Sequence, residues 1–251
     1  MTPISAIIIT KNEGDNIEEC LKSISWADDI IVVDAESKDD TVVKAKAITP
    51  NVFVQPWLGF AQAKQFGVSK AKHDWILWLD ADERVPADLG SEIRERVSTD
   101  PPEAAFAVAR RAYFLGRWIK HSGWYPGYVP RLFHCKRANF NSAAVHEGLE
   151  INGAIGRLRH DLLHYTDPTI YHYIAKLNRY TTLAGEDLRQ KEKIPSVSDL
   201  LLRPLWQFLK MYLFRLGFLD GMQGLILALF SSAYVFTKYC KLMEKTLLSK
   251  Q

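Results

Sequence analysis

Four apolar runs within residues 1–85 alternate with stretches of helical periodicity, and that alternation leaves the chain few folds to choose from. Ile4–Thr10, Asp29–Asp34, 52–55 and 74–80 read as strands. Between them, 15–24 sets Ile17, Cys20, Leu21 and Ile24 three and four residues apart, the spacing of one helix face. The stretches 37–47, with Ser37 or Asp39 available as N-cap, and 59–70 read the same way. Strand–helix–strand units of this length join by right-handed crossovers into a parallel sheet. Strands of such a sheet are covered on both faces, which is why the runs are apolar throughout rather than alternating.

One of these strands ends abruptly. Trp75-Ile76-Leu77-Trp78-Leu79 runs into Asp80-Ala81-Asp82-Glu83, three acids within four residues. In open α/β sheets ligands bind outside the carboxyl ends of the strands. On an extended segment Asp80 and Asp82 point the same way. Two hard oxygen donors on one side can hold Mg²⁺ or Mn²⁺, and such an ion can bridge to phosphate. Read alone, the segment is equally a strand running into a solvated acidic turn. Thr10-Lys11-Asn12-Glu13 and Asp34-Ala35-Glu36-Ser37 follow the first two strands, so their polar groups fall on the same sheet edge. The chain has no G-x-G-x-x-G after the first strand and no Walker A sequence, which disfavours a dinucleotide dehydrogenase or a P-loop enzyme.

Beyond residue 85 the pattern changes. A helix is expected over 86–97 and strands over 104–110 and 128–133, with a segment rich in aromatics, Gly and Arg between the two strands. That segment, from Tyr113 to Gly127, suits a loop covering a ligand; packing on the sheet is the plainer alternative for each aromatic taken singly. From Asp167 on, the chain reads as helix over 169–191, 200–214 and 220–248. Residues 1–167 carry a net charge of −3 and residues 168–251 a net +6, so the last third has the sign of a partner for an anionic surface. Its apolar run over 224–236 is shorter than the ~20 residues needed to span a bilayer. Arg203, Lys210, Arg215, Lys238, Lys241 and Lys245 border it and Trp206, Tyr212, Tyr234 and Tyr239 lie among them, the composition of helices lying in a membrane surface; packing on the body or on a second subunit is the alternative. The basic residues are interleaved with apolar ones and form no recognisable nucleic-acid module, so no nucleic-acid partner is expected. Three distant cysteines, Cys20, Cys135 and Cys240, fit a reducing compartment rather than a disulfide framework. The first ten residues lack a basic n-region and read as a strand, not a signal peptide.

Together, Ser5-Ala6-Ile7-Ile8-Ile9-Thr10-Lys11-Asn12-Glu13, Val32-Val33-Asp34 with Ser37 and Asp40-Thr41, and Leu79-Asp80-Ala81-Asp82-Glu83 resemble the family-2, inverting glycosyltransferases of the GT-A fold. Val145-His146-Glu147, His160-Asp161-Leu162-Leu163-His164-Tyr165 and Gly217-Phe218-Leu219-Asp220-Gly221 extend the likeness over nearly the whole chain, toward the bacterial lipopolysaccharide-core β-1,4-glucosyltransferases. The resemblance implies an α/β, Rossmann-like and mostly parallel GT-A domain over 1–166, followed by an amphipathic helical region over 167–251. It implies a hexosyl transfer, with UDP-glucose as donor, onto the lipopolysaccharide inner core or another lipid-linked saccharide, at the cytoplasmic face of the membrane.

The implied roles fall residue by residue. Thr10, Asn12 and Glu13 lie near the base and ribose, and Asp34 hydrogen-bonds one of them. Asp82 binds the metal bridging the donor diphosphate, and Asp80 supports it through ribose or metal-bound water. Many members carry a second acid after the one at Asp34, which reads uracil; here that position is Ala35, followed by Glu36. Inversion needs a carboxylate to take the proton of the attacking hydroxyl. Glu147 is the first candidate and Glu83 the second. His146 orients Glu147, touches the diphosphate or ligates the metal, or else the two form a buried pair that fixes a loop. Arg110, Arg111, Arg117 and Arg131 are candidate phosphate clamps, with one or two expected to serve. His160 and His164, four apart, could share a helix face but lack the H-E-x-x-H zinc pattern. Two other readings stay open: transfer to polyprenyl phosphate or to a protein side chain, and a non-catalytic sugar-nucleotide-binding scaffold.

Overall fold

The computed structural model describes residues 2–57, 59–140 and 148–248. In chain order it contains β1 (Ile4–Thr10), α1 (Ile17–Ser23), β2 (Asp29–Asp34), α2 (Thr41–Lys46), β3 (Val52–Val54), α3 (Phe60–Lys70), β4 (Trp75–Asp80), β5 (Glu83–Arg84) and α4 (Ala87–Ser98). Then come β6 (Ala105–Phe114), β7 (Arg117–Trp118), β8 (Gly127–His134), β9 (Ala138–Phe140), β10 (Leu149–Ile151), β11 (Ile155–Arg157) and β12 (Leu162–Asp167). The chain ends in α5 (Ile170–Gln190), α6 (Val197–Leu209) and α7 (Gly221–Leu248). Two compact units emerge, one of residues 1–110 with 127–164 and one of 111–126 with 165–251. The division cuts β6 and β12 partway along their length.

In the first unit the strand order is β3-β2-β1-β4-β8-β6-β12-β5. β3, β2, β1 and β4 pair in parallel, and β8 runs antiparallel between β4 and β6. β1 is buried at every residue, so its alternate side chains feed two cores. Ala6 and Ile8 face Ile17, Cys20 and Leu21 of α1 and Leu89, Ile93 and Val97 of α4. Ile7 and Ile9 face Ala61 and Ala63 of α3. Each fully buried Ile contributes roughly 1.5–3 kcal/mol. α3 approaches β1 closely because residue 67 is glycine: a Cβ there would lie 2.4 Å from Ile7 Cγ2.

Register turns this layering into a functional edge. Thr10 pairs with Asp34 and Ile9 with Asp80, so the polar residues that end β1, β2 and β4 stand side by side. The chain then turns at Ala81–Asp82 into β5, whose Glu83 pairs with His164 of β12. That turn ends the alternation that would aim Asp80 and Asp82 the same way. His164 lies on a strand, not on a helix shared with His160.

The second unit gathers Phe114, Ile119, Met211, Leu227 and Ala228 into a core, against which Tyr173 and Phe230, stacked on one another, pack. α6 continues through a π-helical turn (Lys210–Phe214), and a 3-10 turn (Gly217–Asp220) leads into α7. α7 has 28 residues, about 42 Å at 1.5 Å per residue. The helical run Gly217–Leu248 is long and apolar enough to cross a membrane, with only 22% of its most apolar window buried. The apolar stretch thus extends beyond the short run read in the sequence.

Candidate active site

The loops after β1 and β2 are stitched together by side chains. Asp34 is fully buried, and both of its oxygens accept from Ser37, one from the N–H at 2.9 Å and one from the hydroxyl at 2.5 Å. Ser37 Oγ in turn accepts from Asn12 N–H at 2.7 Å, and Asn12 Oδ1 accepts from Lys38 N–H at 2.8 Å. Asn12 adopts φ +54°, a left-handed conformation that Asn tolerates better than most residues. Glu13 N–H donates to Thr41 Oγ1, and its carboxylate accepts from Asn16. Asn12, Glu13 and Asp34 therefore shape the rim. Thr10 differs: its hydroxyl is buried at the end of β1 with no hydrogen-bond partner among the described residues. A buried, unmade hydrogen bond costs about 1–3 kcal/mol, a deficit that a bound ligand can remove.

The acidic turn is organised by Arg131 of β8. Its Nη2 donates to Asp80 Oδ2 at 2.7 Å and to Glu83 Oε1 at 2.6 Å. Asp80 N–H donates to Glu83 Oε2 at 3.1 Å, so both oxygens of the fully buried Glu83 are engaged. Burial pushes the Glu83 carboxyl up, with Arg131 opposing it. Burial also opposes the charge on Arg131, but Glu83 and Asp80 outweigh it and hold the guanidinium above its ordinary value. Arg110 is pushed down by burial and by the Arg131 charge. Arg131 stacks on the Trp78 indole at 3.6 Å from the ring centroid, and Lys64 Nζ lies 3.8 Å from the same centroid. Trp78 Nε1 donates to Pro130 O, which fixes the ring.

Asp82 has another partner, His164 Nε2, 3.3 Å from its Oδ2, and both side chains are partly accessible. Were a divalent cation bound here, Asp82 would supply a carboxylate oxygen of the kind Mg²⁺ and Mn²⁺ take, and His164 would offer an imidazole nitrogen beside it. Among the described residues no group of three or more His, Cys, Asp or Glu side chains is gathered that could hold a metal ion. His160 is turned elsewhere. It donates N–H to Glu92, whose carboxylate lies 2.9 Å from His160 Nδ1. Glu147 and His146 lie outside the described residues.

Trp78 and Lys64 were not singled out in the sequence, although Trp78 shares a strand face with Asp80. Arg131 is one of the four arginines that the sequence offers as phosphate clamps, and the structure sets His164 beside Asp82 rather than on a helix with His160. Only the pairings of β8 with β4 and of β12 with β5 bring them to the acids.

The glycosyl transferase family 2 model matches residues 5–161, well over half of the chain. An uncharacterized glycosyltransferase of Rickettsia bellii is 31% identical over 97% of this chain and 87% of its own length. The lipopolysaccharide core biosynthesis glycosyltransferase LpsC of Rhizobium meliloti is 30% identical over 97% of this chain and 93% of its own length. Among solved structures, the mannosyltransferase PcManGT of Pyrobaculum calidifontis, in complex with GDP-Man and Mn²⁺, superposes with a TM-score of 0.57 over 97% of this chain and 88% of its own. At 15% identity that likeness is one of fold, and the fold is GT-A with a long helix appended at the C-terminus. The motifs that end β1, β2 and β4 lie inside the matched segment, and the chain belongs to glycosyl transferase family 2.

Proposed function

We propose that this chain transfers a hexosyl group, glucose from UDP-glucose first among the candidates, with inversion onto a lipid-linked saccharide of the lipopolysaccharide core. The observation that carries the reading is the edge where Thr10, the Asn12–Asp34 loops and the Asp82–His164 pair meet at the ends of paired strands. The name of the LpsC relative supports the acceptor class. The Mn²⁺ and sugar nucleotide in the PcManGT complex support a metal-dependent donor.

In this reading residues 1–166 form the catalytic domain and Thr10 Oγ finds its partner on the nucleoside. Asn12, Glu13 and Asp34 hold the rim in the shape that receives base and ribose. Asp82 and His164 hold the divalent cation, and Asp80, fixed by Arg131, supports the site from its margin. When bound, the cation offsets the negative charge that builds on the leaving diphosphate. The acceptor oxygen forms a bond to the anomeric carbon as the bond to the diphosphate oxygen breaks, and the acceptor proton passes to a carboxylate. Glu147 takes that role; Glu83, with both oxygens engaged and no exposure, anchors Arg131 instead. Residues 167–251 hold the enzyme on the cytoplasmic surface of the membrane through the exposed apolar side chains of α6 and the turns that follow it.

The test is turnover of UDP-glucose with Mn²⁺ and a membrane-derived saccharide acceptor. The wild-type chain should release UDP and form the product of opposite anomeric configuration. Asp82→Ala should lower kcat/KM at least ~100-fold, since it removes a metal ligand, while its unfolding midpoint stays near that of the wild type. Undiminished turnover in Asp82→Ala would falsify the assignment of the metal to this turn.

A further inference from the structure

We propose that the turn joining α6 to α7, residues 210–222, docks on an anionic phospholipid surface, with its apolar side chains among the lipids and Arg117 and Arg215 on headgroup phosphates. The inference rests on the proposed membrane reading and adds the element that inserts and the charges that select the lipid.

The turn exposes side chains that folding would hide. Phe214 is 68% exposed and Met222 66%, and Leu216, Phe218 and Leu219 are each close to half exposed. Leu216 takes φ +55° and ψ +30°, the left-handed region that disfavours side chains of its kind. Glycine would fit this backbone with less strain, and a polar side chain would suit water better. An exposed leucine here therefore answers to a surface outside the chain. The bend itself is firmly built. Arg215 N–H closes the π-helical turn on Lys210 O at 2.9 Å, Leu216 N–H donates to Leu213 O at 3.1 Å, and Leu219 N–H donates to Leu216 O at 2.9 Å. Ser122 N–H ties the bend to the loop after β7 through Arg215 O at 2.8 Å.

Charge identifies the occupant. Between residues 200 and 243 the sequence has five cations and a single acid, Asp220. Asp220 is 2% exposed, and its carboxylate accepts from the N–H groups of Lys120 and His121 at 3.1 and 3.0 Å. The one negative charge of the segment is thus held inside the protein. Arg215 and Arg117, in contrast, are exposed, and they bracket the bend. Gly123, at φ +79°, makes room for the Arg215 guanidinium, since a Cβ there would collide with its Nη1. Arg117 Nη2 donates to Leu219 O at 3.4 Å, and a Cβ on Gly221 would lie 3.1 Å from its Nη1. Two guanidiniums beside exposed apolar side chains match a leaflet whose phosphates overlie acyl chains.

The full-length chain is mixed with vesicles of phosphatidylcholine alone or of phosphatidylcholine with an equal part of phosphatidylglycerol, and bound protein is measured by sedimentation. The site predicts at least ~10-fold tighter binding to the anionic vesicles, a preference that falls as salt is raised. Arg117→Gln combined with Arg215→Gln should remove that preference and leave binding to phosphatidylcholine in place. A second readout locates the contact. Phe218→Cys, with Cys135→Ser and Cys240→Ser and the buried Cys20 left as it is, carries an environment-sensitive fluorophore. Its emission should shift to the blue on anionic vesicles and be protected from an aqueous quencher. Equal binding to the two vesicles, binding without the blue shift, or a preference that survives the double substitution would each overturn the site and leave the membrane reading standing. No binding of the wild-type chain to either vesicle overturns both. A label that is blue-shifted without lipid, together with dimers in sedimentation equilibrium, would give the face to a second copy of the chain and overturn the site as well.

Discussion

Arg131 shows how much a single side chain decides here. It is 3% exposed, holds Asp80 and Glu83 through one nitrogen and covers the face of Trp78. Removing one partner of a buried ion pair costs about 3–5 kcal/mol, because the other charge stays buried and uncompensated. Arg131→Met should therefore lower unfolding stability by about that amount, and Glu83→Gln by a similar one. The double substitution should cost less than the sum, with a coupling of at least about 1 kcal/mol in denaturant unfolding. Additive losses would mean that the two groups do not act as a pair. In the proposed reading Glu83, fully buried with both oxygens engaged, anchors Arg131, and Glu147 is the base. His164 and Asp82, by contrast, remain partly accessible and face one another.

At the scale of elements, the start of α6 offers the sharpest electrostatic test. Ser196 and Asp199 form a capping box, and Lys193 and Arg203 close on the same carboxylate. Burial pushes Asp199 up, yet the hydrogen bonds from Ser196 and the two cations outweigh it and bring the group down to about 2. A carboxyl depressed in the folded state adds stability that is present above its unfolded value near 3.8 and fades as pH falls toward 2. Asp199→Asn should thus cost on the order of 1 kcal/mol at neutral pH, with the gap to wild type closing between about pH 4 and pH 2. A pH-independent gap would assign the effect to packing. Elements also mark what can be read from a sequence. β1, β2 and β4 were legible because both of their faces are buried and their composition is uniformly apolar. β5, β7, β9, β10 and β11, at two or three residues each, carry no period long enough to detect, and they exist through pairing. The acids at the end of β4 could be named in the sequence, but their partners, Arg131 and His164, lie on strands 51 and 82 residues further along the chain, which no local pattern encodes.

For the molecule as a whole, the two units divide the proposed labour. The second unit leaves Leu201, Leu202, Leu205, Trp206, Phe214 and Met222 more than half exposed. Trp206 and Phe214 are in ring contact at 5.5 Å, and the sequence beyond residue 167 carries a net +6. Replacing Trp206, Phe214 and Met222 by Ser should weaken sedimentation with anionic phospholipid vesicles at least ~100-fold, since burying each apolar side chain contributes about 1.5 kcal/mol or more. Because all three are exposed, the thermal midpoint should hardly move; unchanged vesicle binding would place the membrane contact elsewhere. In the proposed reading a sugar nucleotide sits at the ends of β1, β2 and β4 of the first unit, with a divalent cation on Asp82. The most direct measurement is calorimetric titration of UDP-glucose into the full-length chain with and without Mn²⁺, repeated in Asp82→Ala. Binding should require Mn²⁺ in the wild type and be lost in the variant while the fold persists. Equally tight binding in Asp82→Ala, or binding indifferent to Mn²⁺, would contradict it.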